Sequence, residues 1–296
     1  MTESIIYSVI LLTLLGTVAA LVLYAVSKKF YVYENPLIAE IEELLPAANC
    51  GGCGFPGCKA FAEKLVGTED ISDLFCPVGG NEIMRSVSER LGKEVAEKDP
   101  TVAVVRCQGS CEVRPKTTEY QGPKSCTISS LIYSGETDCQ YGCLGEGDCV
   151  AVCQFDAMYM DEATGLPVVI SEKCTSCGLC VDACPRDIIE MRPKKKRDLK
   201  IYVGCLNEEK GGIAKKACSV ACIGCSKCID ACPKDAIVVE NNLAYIDPLI
   251  CTLCRKCVPA CPTHSIIETN FPPRKEKKSK PEVSATAEPV KPRNDA

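Results

Sequence analysis

The chain has few of the residues that build a large apolar core. Its 296 residues include no tryptophan, six phenylalanines and one histidine, and aromatic residues make up 5% of the total. Segments of about 50 to 60 residues bury too little apolar surface to be stable alone. We therefore expect metal ligation to supply part of the folding free energy, and the metal-free protein to be poorly folded.

Several signatures of catalysis and nucleotide binding are also missing. The sequence has no Rossmann fingerprint of glycines between a predicted strand and a helix, no P-loop and no nucleophile elbow. These absences argue against a nucleotide site and against a complete active site in this chain. The net charge of −5 argues against nucleic-acid binding. We interpret the single histidine, His264, as an exposed loop residue rather than a metal ligand.

Cysteine is the residue that this chain has in excess, and the last eight of its 25 cysteines form two regular runs. The runs are Cys222-x2-Cys225-x2-Cys228-x3-Cys232-Pro233 and Cys251-x2-Cys254-x2-Cys257-x3-Cys261-Pro262. This is the bacterial ferredoxin pattern, in which the fourth cysteine of each run binds the cluster of the other run. The pattern predicts one 4Fe-4S cluster on Cys222, Cys225, Cys228 and Cys261, and another on Cys232, Cys251, Cys254 and Cys257.

A less regular pair of runs precedes this one. It consists of Cys139-x3-Cys143-x5-Cys149-x3-Cys153 and Cys174-x2-Cys177-x2-Cys180-x3-Cys184-Pro185. The same crossing predicts clusters on Cys139, Cys143, Cys149 and Cys184, and on Cys153, Cys174, Cys177 and Cys180. A strand, a turn and a second strand are predicted between the runs of each pair, at Ala157–Ile170 and at Ala236–Ile246. The two pairs are therefore internal repeats.

A further cluster is predicted nearer the amino terminus. Its ligands are Cys50, Cys53 and Cys58 in a glycine-rich loop, together with Cys76. Five clusters use twenty cysteines and leave Cys107, Cys111, Cys126, Cys205 and Cys218. Cys107, Cys126, Cys205 and Cys218 form a candidate sixth cluster. Ordinary buried thiols are the alternative, and the spacing does not decide between the two.

Disulfides and zinc sites also use many cysteines, but both fit this sequence less well than iron–sulfur clusters. Disulfides belong mainly to secreted chains, and no feature here indicates secretion. Zinc sites usually pair two separate C-x2-C knuckles, whereas here three cysteines crowd into seven residues and a Cys-Pro follows. We therefore expect [4Fe-4S] cofactors, five in number with six as the alternative.

The amino-terminal segment predicts a membrane anchor. Ile5–Val26 has no charged residue, and 22 helical residues span about 33 Å, enough for a hydrocarbon core of about 30 Å. Lys28 and Lys29 follow the span, which predicts an outside amino terminus and iron-sulfur domains on the cytoplasmic side of the inner membrane. A cleaved signal peptide is the alternative, but the basic amino-terminal region of such a peptide is missing.

The predicted fold is α+β, with one transmembrane helix, a small α-helical 4Fe-4S domain and two tandem ferredoxin-like modules. Helices are expected at Pro36–Leu45 and Glu82–Glu97, and a strand at Thr101–Val105. The predicted division is an anchor (1–30), a 4Fe-4S domain (31–98), a connecting segment (99–135), module 1 (136–192), a basic linker (193–217), module 2 (218–270) and a disordered tail (271–296). The basic linker is interpreted as solvated, or as a surface for an acidic ferredoxin or for anionic lipid.

The order of these parts resembles the B subunit of the Rnf electron transport complex. The resemblance is carried by the amino-terminal helix, the segment Asn49–Cys58 with Cys76-Pro77, the segment Cys139–Cys149 and the Cys-Pro ferredoxin runs, and it covers about residues 1–268. The second ferredoxin pair is similar to the longer versions found in anaerobes.

The resemblance implies a subunit that takes low-potential electrons from soluble ferredoxin and passes them to membrane subunits. The complex as a whole would reduce NAD and export Na+ or H+, and only the cluster cysteines carry over to this chain. The expected partners are the other subunits, ferredoxin and the lipid bilayer. The alternatives are a polyferredoxin of another membrane oxidoreductase, the related complex that reduces a redox-sensing transcription factor, and a zinc-rich scaffold.

Overall fold

The computed structural model describes residues 2–30, 35–132 and 135–274. The predicted tail therefore lies outside the described residues, except for positions 271–274. The first helix, α1, runs from Thr2 to Lys29, and its segment Val9–Lys29 is long and apolar enough to cross a membrane. None of that segment is buried against the described remainder of the chain. A helix of this length and composition fits a single-pass membrane anchor.

A small helical domain follows, formed by α2 (Pro36–Leu44), α3 (Cys58–Gly67) and α4 (Gly80–Leu91). Its core consists of Ile41, Phe61, Leu65, Ile71, Met84 and Val87, each at most 1% exposed. The predicted continuation of α4 to Glu97 is wrong. Gly92 adopts a left-handed conformation with φ of 64°, which ends the helix as glycine commonly does.

Within the described residues, eight short strands form four antiparallel pairs. They are β1 (Thr101–Val105), β2 (Met158–Asp161), β3 (Leu166–Val169), β4 (Ile189–Pro193), β5 (Lys200–Val203), β6 (Ile237–Glu240), β7 (Leu243–Ile246) and β8 (Ile266–Thr269). The pairs are β1 with β4, β2 with β3, β5 with β8 and β6 with β7. Each repeat is therefore a hairpin enclosed by a pair of outer strands, and both predicted hairpins are confirmed.

Short helices alternate with these strands and carry several cysteines. They are α5 (Cys126–Ile132), α6 (Asp148–Ala151), α7 (Leu179–Asp182), α8 (Gly211–Ala217), α9 (Lys227–Asp230) and α10 (Cys257–Ala260). The mixture of helices and strands confirms the predicted α+β class. The segment predicted as a basic linker is built into the fold, because it contains β5 and α8 and because β5 pairs with β8 of module 2.

A buried ionic network joins the two repeats. The Glu190 carboxylate on β4 lies 3.3 Å from a guanidinium nitrogen of Arg106 and 3.2 Å from Nε of Arg192. It also accepts a 2.8 Å hydrogen bond from the hydroxyl of Tyr245 on β7. Arg192 is 2% exposed and donates to the carbonyl of Ile201 on β5. Side chains of the first repeat are thus held against β7, an inner strand of the second repeat, and against β5, one of its outer strands.

Candidate iron–sulfur cluster sites

In the second repeat, four cysteines surround one cavity, which we call site 4. Its ligand candidates are Cys222, Cys225, Cys228 and Cys261, around an empty volume of about 340 Å³. The backbone N–H of Ala244 donates to Sγ of Cys222 over 3.4 Å, and the N–H of Ser265 donates to Sγ of Cys261 over 3.3 Å. Such N–H···S bonds are typical of thiolates that bind a cluster. The structure therefore brings together the four cysteines that the crossed ferredoxin pattern predicts.

The neighbouring set, site 5, consists of Cys232, Cys251, Cys254 and Cys257, which belong to module 2 with site 4. Burial raises the pKa of the Cys257 thiol to about 12, and the nearby thiols of Cys251 and Cys254 add to the rise. Cys232 lies against the same apolar core. Cys254 is exposed, so this site reaches the molecular surface.

The cavity of the first repeat, site 2, differs from the predicted ligand set. It is lined by Cys126, Cys143, Cys149 and Cys184, around an empty volume of about 400 Å³. Cys139, which the sequence pattern assigns to this cluster, does not line the cavity, and Cys126 stands in its place. Burial raises the pKa of the Cys149 thiol to about 11, with smaller contributions from the thiols of Cys126 and Cys184.

Asp148 explains how Cys126 reaches site 2. Its carboxylate accepts hydrogen bonds from the hydroxyl of Ser125 over 2.9 Å and from the backbone N–H of Thr127 over 3.0 Å. These bonds tie the first turn of α5 to α6, next to Cys149. Ser125 and Thr127, the neighbours of Cys126 in sequence, thus hold Cys126 close to Cys149, which lies more than twenty residues later in the chain.

Cys139 lies instead in a second cavity, which we call the junction cavity. It is lined by Cys107, Cys139, Cys205 and Cys218, around an empty volume of about 330 Å³. Three of the four cysteines that the count of leftover cysteines suggested for a sixth cluster, Cys107, Cys205 and Cys218, therefore line this cavity. Cys139 takes the place of the fourth, Cys126. The remaining cysteine, Cys111, is exposed, and its Sγ lies 3.7 Å from the carbonyl of Thr164.

The two other predicted sets are site 3, with Cys153, Cys174, Cys177 and Cys180, and site 1, with Cys50, Cys53, Cys58 and Cys76. In site 3, burial raises the pKa of the Cys180 thiol to about 12, and the thiols of Cys174 and Cys177 add to it. In site 1, burial raises the pKa of Cys76, and its Sγ accepts a 3.3 Å hydrogen bond from the N–H of Gly79.

The donor sets fit iron–sulfur clusters better than zinc. A structural zinc site needs four donors about 2 Å from one point. Among the described residues, no three His, Cys, Asp or Glu side chains are arranged to hold a single ion. The cysteines instead line apolar cavities in sets of four. Burial raises the pKa of the Cys149 thiol to about 11 and that of the Cys180 and Cys257 thiols to about 12, so cluster binding at these cysteines would release protons.

Two features of these sites were missed by sequence reasoning, namely the exchange of Cys126 with Cys139 and the tethering of α5 by Asp148. The sequence does mark the run from Cys139 to Cys153 as unusual. Its spacing is longer than in the other runs, and no proline follows Cys153. His264 is exposed, as predicted.

Comparisons with known proteins find iron–sulfur domains in three parts of the chain. An iron–sulfur cluster family model matches residues 45–77, a 4Fe-4S binding domain matches 167–190 and a 4Fe-4S dicluster domain matches 221–265. The chain is 46% identical over 247 residues to the B subunit of the Na(+)-translocating ferredoxin:NAD(+) oxidoreductase complex of Acetobacterium woodii, and the match covers 83% of this chain and 73% of the relative.

Two further relatives extend the similarity over a similar length. The B subunit of the proton-translocating ferredoxin:NAD(+) oxidoreductase complex of Clostridium ljungdahlii is 41% identical over 84% of this chain and 86% of its own. The B subunit of an ion-translocating oxidoreductase complex of Methanosarcina acetivorans is 41% identical over 85% of this chain and 94% of its own.

Proposed function

The chain belongs to the B-subunit family of Rnf electron-transport complexes, and from that premise we propose that it accepts electrons from reduced ferredoxin and relays them to the membrane subunits of such a complex. It is an electron-transfer subunit that carries 4Fe-4S clusters. The complex would couple ferredoxin oxidation and NAD reduction to the export of Na+ or H+. The relatives' names include both ions, so the similarity favours neither.

Contacts between ligands of neighbouring sites support a relay. Three pairs of thiols from different sites lie close enough for a charge on one to raise the pKa of the other: Cys50 with Cys177, Cys149 with Cys180, and Cys228 with Cys257. These pairs link site 1 to site 3, site 3 to site 2, and site 4 to site 5. Each electron would pass between adjacent clusters by oxidation of one and reduction of the next, with no bond made or broken.

The surface around Cys254 carries the proposal that ferredoxin delivers electrons at site 5. Cys254 is exposed, and the amino group of Lys195 donates to the carbonyl of Cys251 over 2.7 Å. That bond places the basic run against the ligand loop. The Cys254 face, as we call it, consists of Cys254 with the exposed Lys196, Arg197, Leu249, Lys256 and Arg274.

The distribution of charge favours an acidic partner at this face. Residues 193–217 include eight Lys or Arg against three Asp or Glu, whereas residues 31–98 include six against twelve. The Glu268 carboxylate next to the face is itself paired, since it binds Arg255 and Arg274. An acidic ferredoxin would therefore be steered to the Cys254 face, where an apolar side chain, that of Leu249, is 78% exposed.

We expect the double charge reversal Lys196→Glu with Arg197→Glu to raise the KM for ferredoxin about tenfold at low salt, because steering charges act mainly on association. The measurement is ferredoxin-dependent NAD reduction by the intact complex over a range of ionic strength. Reduction of the clusters by dithionite should not change. The matched control is Lys215→Glu with Lys216→Glu, an exposed pair on α8 that makes the same change in charge.

If both double variants raise the KM for ferredoxin by the same factor, only the overall charge of the protein matters. That result would contradict docking at the Cys254 face. If the Lys196→Glu, Arg197→Glu variant binds anionic vesicles more weakly but keeps its KM for ferredoxin, the basic run interacts with lipid instead. A wild-type complex that fails to oxidise ferredoxin would contradict the proposed function itself.

The proposed function also includes an orientation in the membrane. The anchor crosses the inner membrane once with its amino terminus outside, and the cluster domains lie in the cytoplasm.

A further inference from the structure

We propose that Arg186, together with Arg114, sets the reduction potential of the cluster at site 2 by placing positive charge against its cysteines. The consequence for the relay rests on the proposed function, because only in a relay does the potential of one cluster matter to the next. The potential itself can be titrated with a chemical reductant. This inference can therefore fail while the proposed function stands, and the reverse.

The two repeats build the cavities of site 2 and site 4 from matching positions. In each repeat an outer strand, β4 or β8, begins five residues after the last cysteine of the second run. Among the described residues, one charged side chain lines site 2 and none lines site 4. Three matched pairs line the two cavities, namely Cys184 and Cys261, Arg186 and Thr263, and Ile189 and Ile266. The cation of site 2 thus stands where site 4 has a hydroxyl.

Site 4 surrounds its sulfurs with neutral donors. The N–H of Ala244 and the hydroxyl of Thr263 lie 3.4 and 3.7 Å from two of its cysteine sulfurs. Ala244 is the second residue of the inner strand β7, and the second residue of the matching strand β3 is Pro167, which has no N–H to donate. Site 2 therefore lacks this backbone donor and has the Arg186 guanidinium in its wall.

Backbone carbonyls hold both guanidiniums beside the ligand loop of site 2. Nη1 of Arg186 donates to the carbonyl of Gly142 over 2.8 Å, and Nη2 of Arg114 donates to the carbonyl of Cys143 over 2.7 Å. A Cβ at Gly142 would lie 1.9 Å from Nη1 of Arg114, so a side chain there would displace this arginine. Arg114 is 8% exposed, and its Nε is buried without a hydrogen-bond partner among the described residues. Because a buried cationic donor without an acceptor is costly, this arrangement favours a negatively charged group nearby.

The carboxylates near the two arginines do not cancel their charge. Glu136 and Glu146 line an adjoining cavity together with both arginines. Each carboxylate is already paired with a lysine, Glu136 with Lys116 and Glu146 with Lys124. Each lysine offsets one glutamate, so the arginines leave this wall of site 2 positive.

Positive charge at site 2 favours the reduced form of a cluster there. Burial lowers the pKa of the Arg186 guanidinium, whereas charges on nearby sulfurs, among them those of Cys143 and Cys126, raise it. The guanidinium is therefore within electrostatic reach of two cysteines that line site 2. One-electron reduction makes a cluster more negative, and a cation held close to it in a poorly solvated site stabilises that charge. In the relay, an electron would thus rest at site 2 until transfer to site 3 oxidises one cluster and reduces the other.

The test is a redox titration of the anaerobically purified full-length chain, followed by EPR. Arg186→Gln keeps a donor for the carbonyl of Gly142 but removes the charge. We expect the equilibrium constant for reduction of one cluster to fall about tenfold, which is about 59 mV for one electron, while the other potentials stay unchanged. Arg186→Lys keeps the charge and should stay close to the wild-type potential. A purely structural role would predict that Arg186→Gln leaves every potential unchanged, and that result would overturn the proposal.

Lys234→Gln is the matched control. Lys234 follows Cys232-Pro233 as Arg186 follows Cys184-Pro185, but it is exposed, so loss of its charge should shift no potential appreciably. Equal shifts in the two glutamine variants would mean that only the overall charge matters, against our proposal. If Arg186→Gln loses about four irons and with them the site 2 cluster, Arg114→Gln decides, because it removes the second charge and leaves Arg186 in place. It should lower the potential of the same cluster, and unchanged potentials would overturn the proposal.

Discussion

Replacing Gly52 by alanine is expected to lower ferredoxin-dependent NAD reduction by about tenfold while the iron content stays unchanged. A Cβ at position 52 would lie 2.7 Å from the carbonyl oxygen of Cys177 and 2.9 Å from its Cβ. Neither atom belongs to a flexible side chain, so the loops of sites 1 and 3 would have to separate. Because the proposed relay passes between Cys50 and Cys177, whose thiols lie close together, a wider gap should slow every electron that continues to site 1.

The measurement compares NAD reduction by the complex with rapid reduction of its clusters by ferredoxin. The clusters of sites 2 to 5 should still be reduced at the wild-type rate, and only the transfer to site 1 should slow. Gly67→Ala is the matched control, since a Cβ there meets nothing within 4 Å and the residue ends α3 in the same domain. Wild-type NAD reduction by the Gly52 variant would show that electrons reach the membrane without passing from site 3 to site 1.

The parts of this protein that the sequence predicts well are those set by short-range spacing. Cys222, Cys225 and Cys228 lie within seven residues, so one loop must bring their sulfurs together, and the cavity of site 4 contains all three. The hairpins and the apolar anchor follow from equally local patterns. The end of α4 could have been predicted as well, because Gly92 is the residue type that favours a left-handed cap.

The junction cavity could not be predicted, because its four thiols come from distant segments. Cys107 follows β1, Cys205 follows β5 and Cys218 follows α8, and they meet only after the outer strand pairs of both repeats have formed. Counting cysteines indicated a sixth set, but spacing could not separate Cys126 from Cys139. That choice depends on the hydrogen bonds of Asp148 and Asn207, which are tertiary contacts. The contact of Lys195 with the ligand loop of site 5 is likewise a tertiary contact that the spacing of the basic run does not predict.

The second large effect is expected at the ionic network between the repeats, where Glu190→Ala should destabilise the protein by about 3 to 5 kcal/mol. The substitution leaves Arg106 and Arg192 buried with no carboxylate between them, and it also removes the acceptor of the Tyr245 hydroxyl. Both guanidiniums stack near the Tyr245 ring, at 5.1 and 5.3 Å from its centroid, so neither can turn to solvent without disturbing β7. The repeats should then separate at a lower temperature, and their clusters should be lost as they separate.

Thermal bleaching of the cluster absorption near roughly 400 nm measures this effect, at a fixed scan rate because unfolding with cluster loss is irreversible. Glu190→Ala should lower the bleaching temperature by about 10 °C, given a shift of about 2 to 4 °C per kcal/mol for a chain of this size. Glu97→Ala is the control, because its pair with Arg85 is 2.8 Å long but 71% and 65% exposed, and exposed pairs contribute little. Equal bleaching temperatures for the two variants would mean that the network does not hold the repeats together.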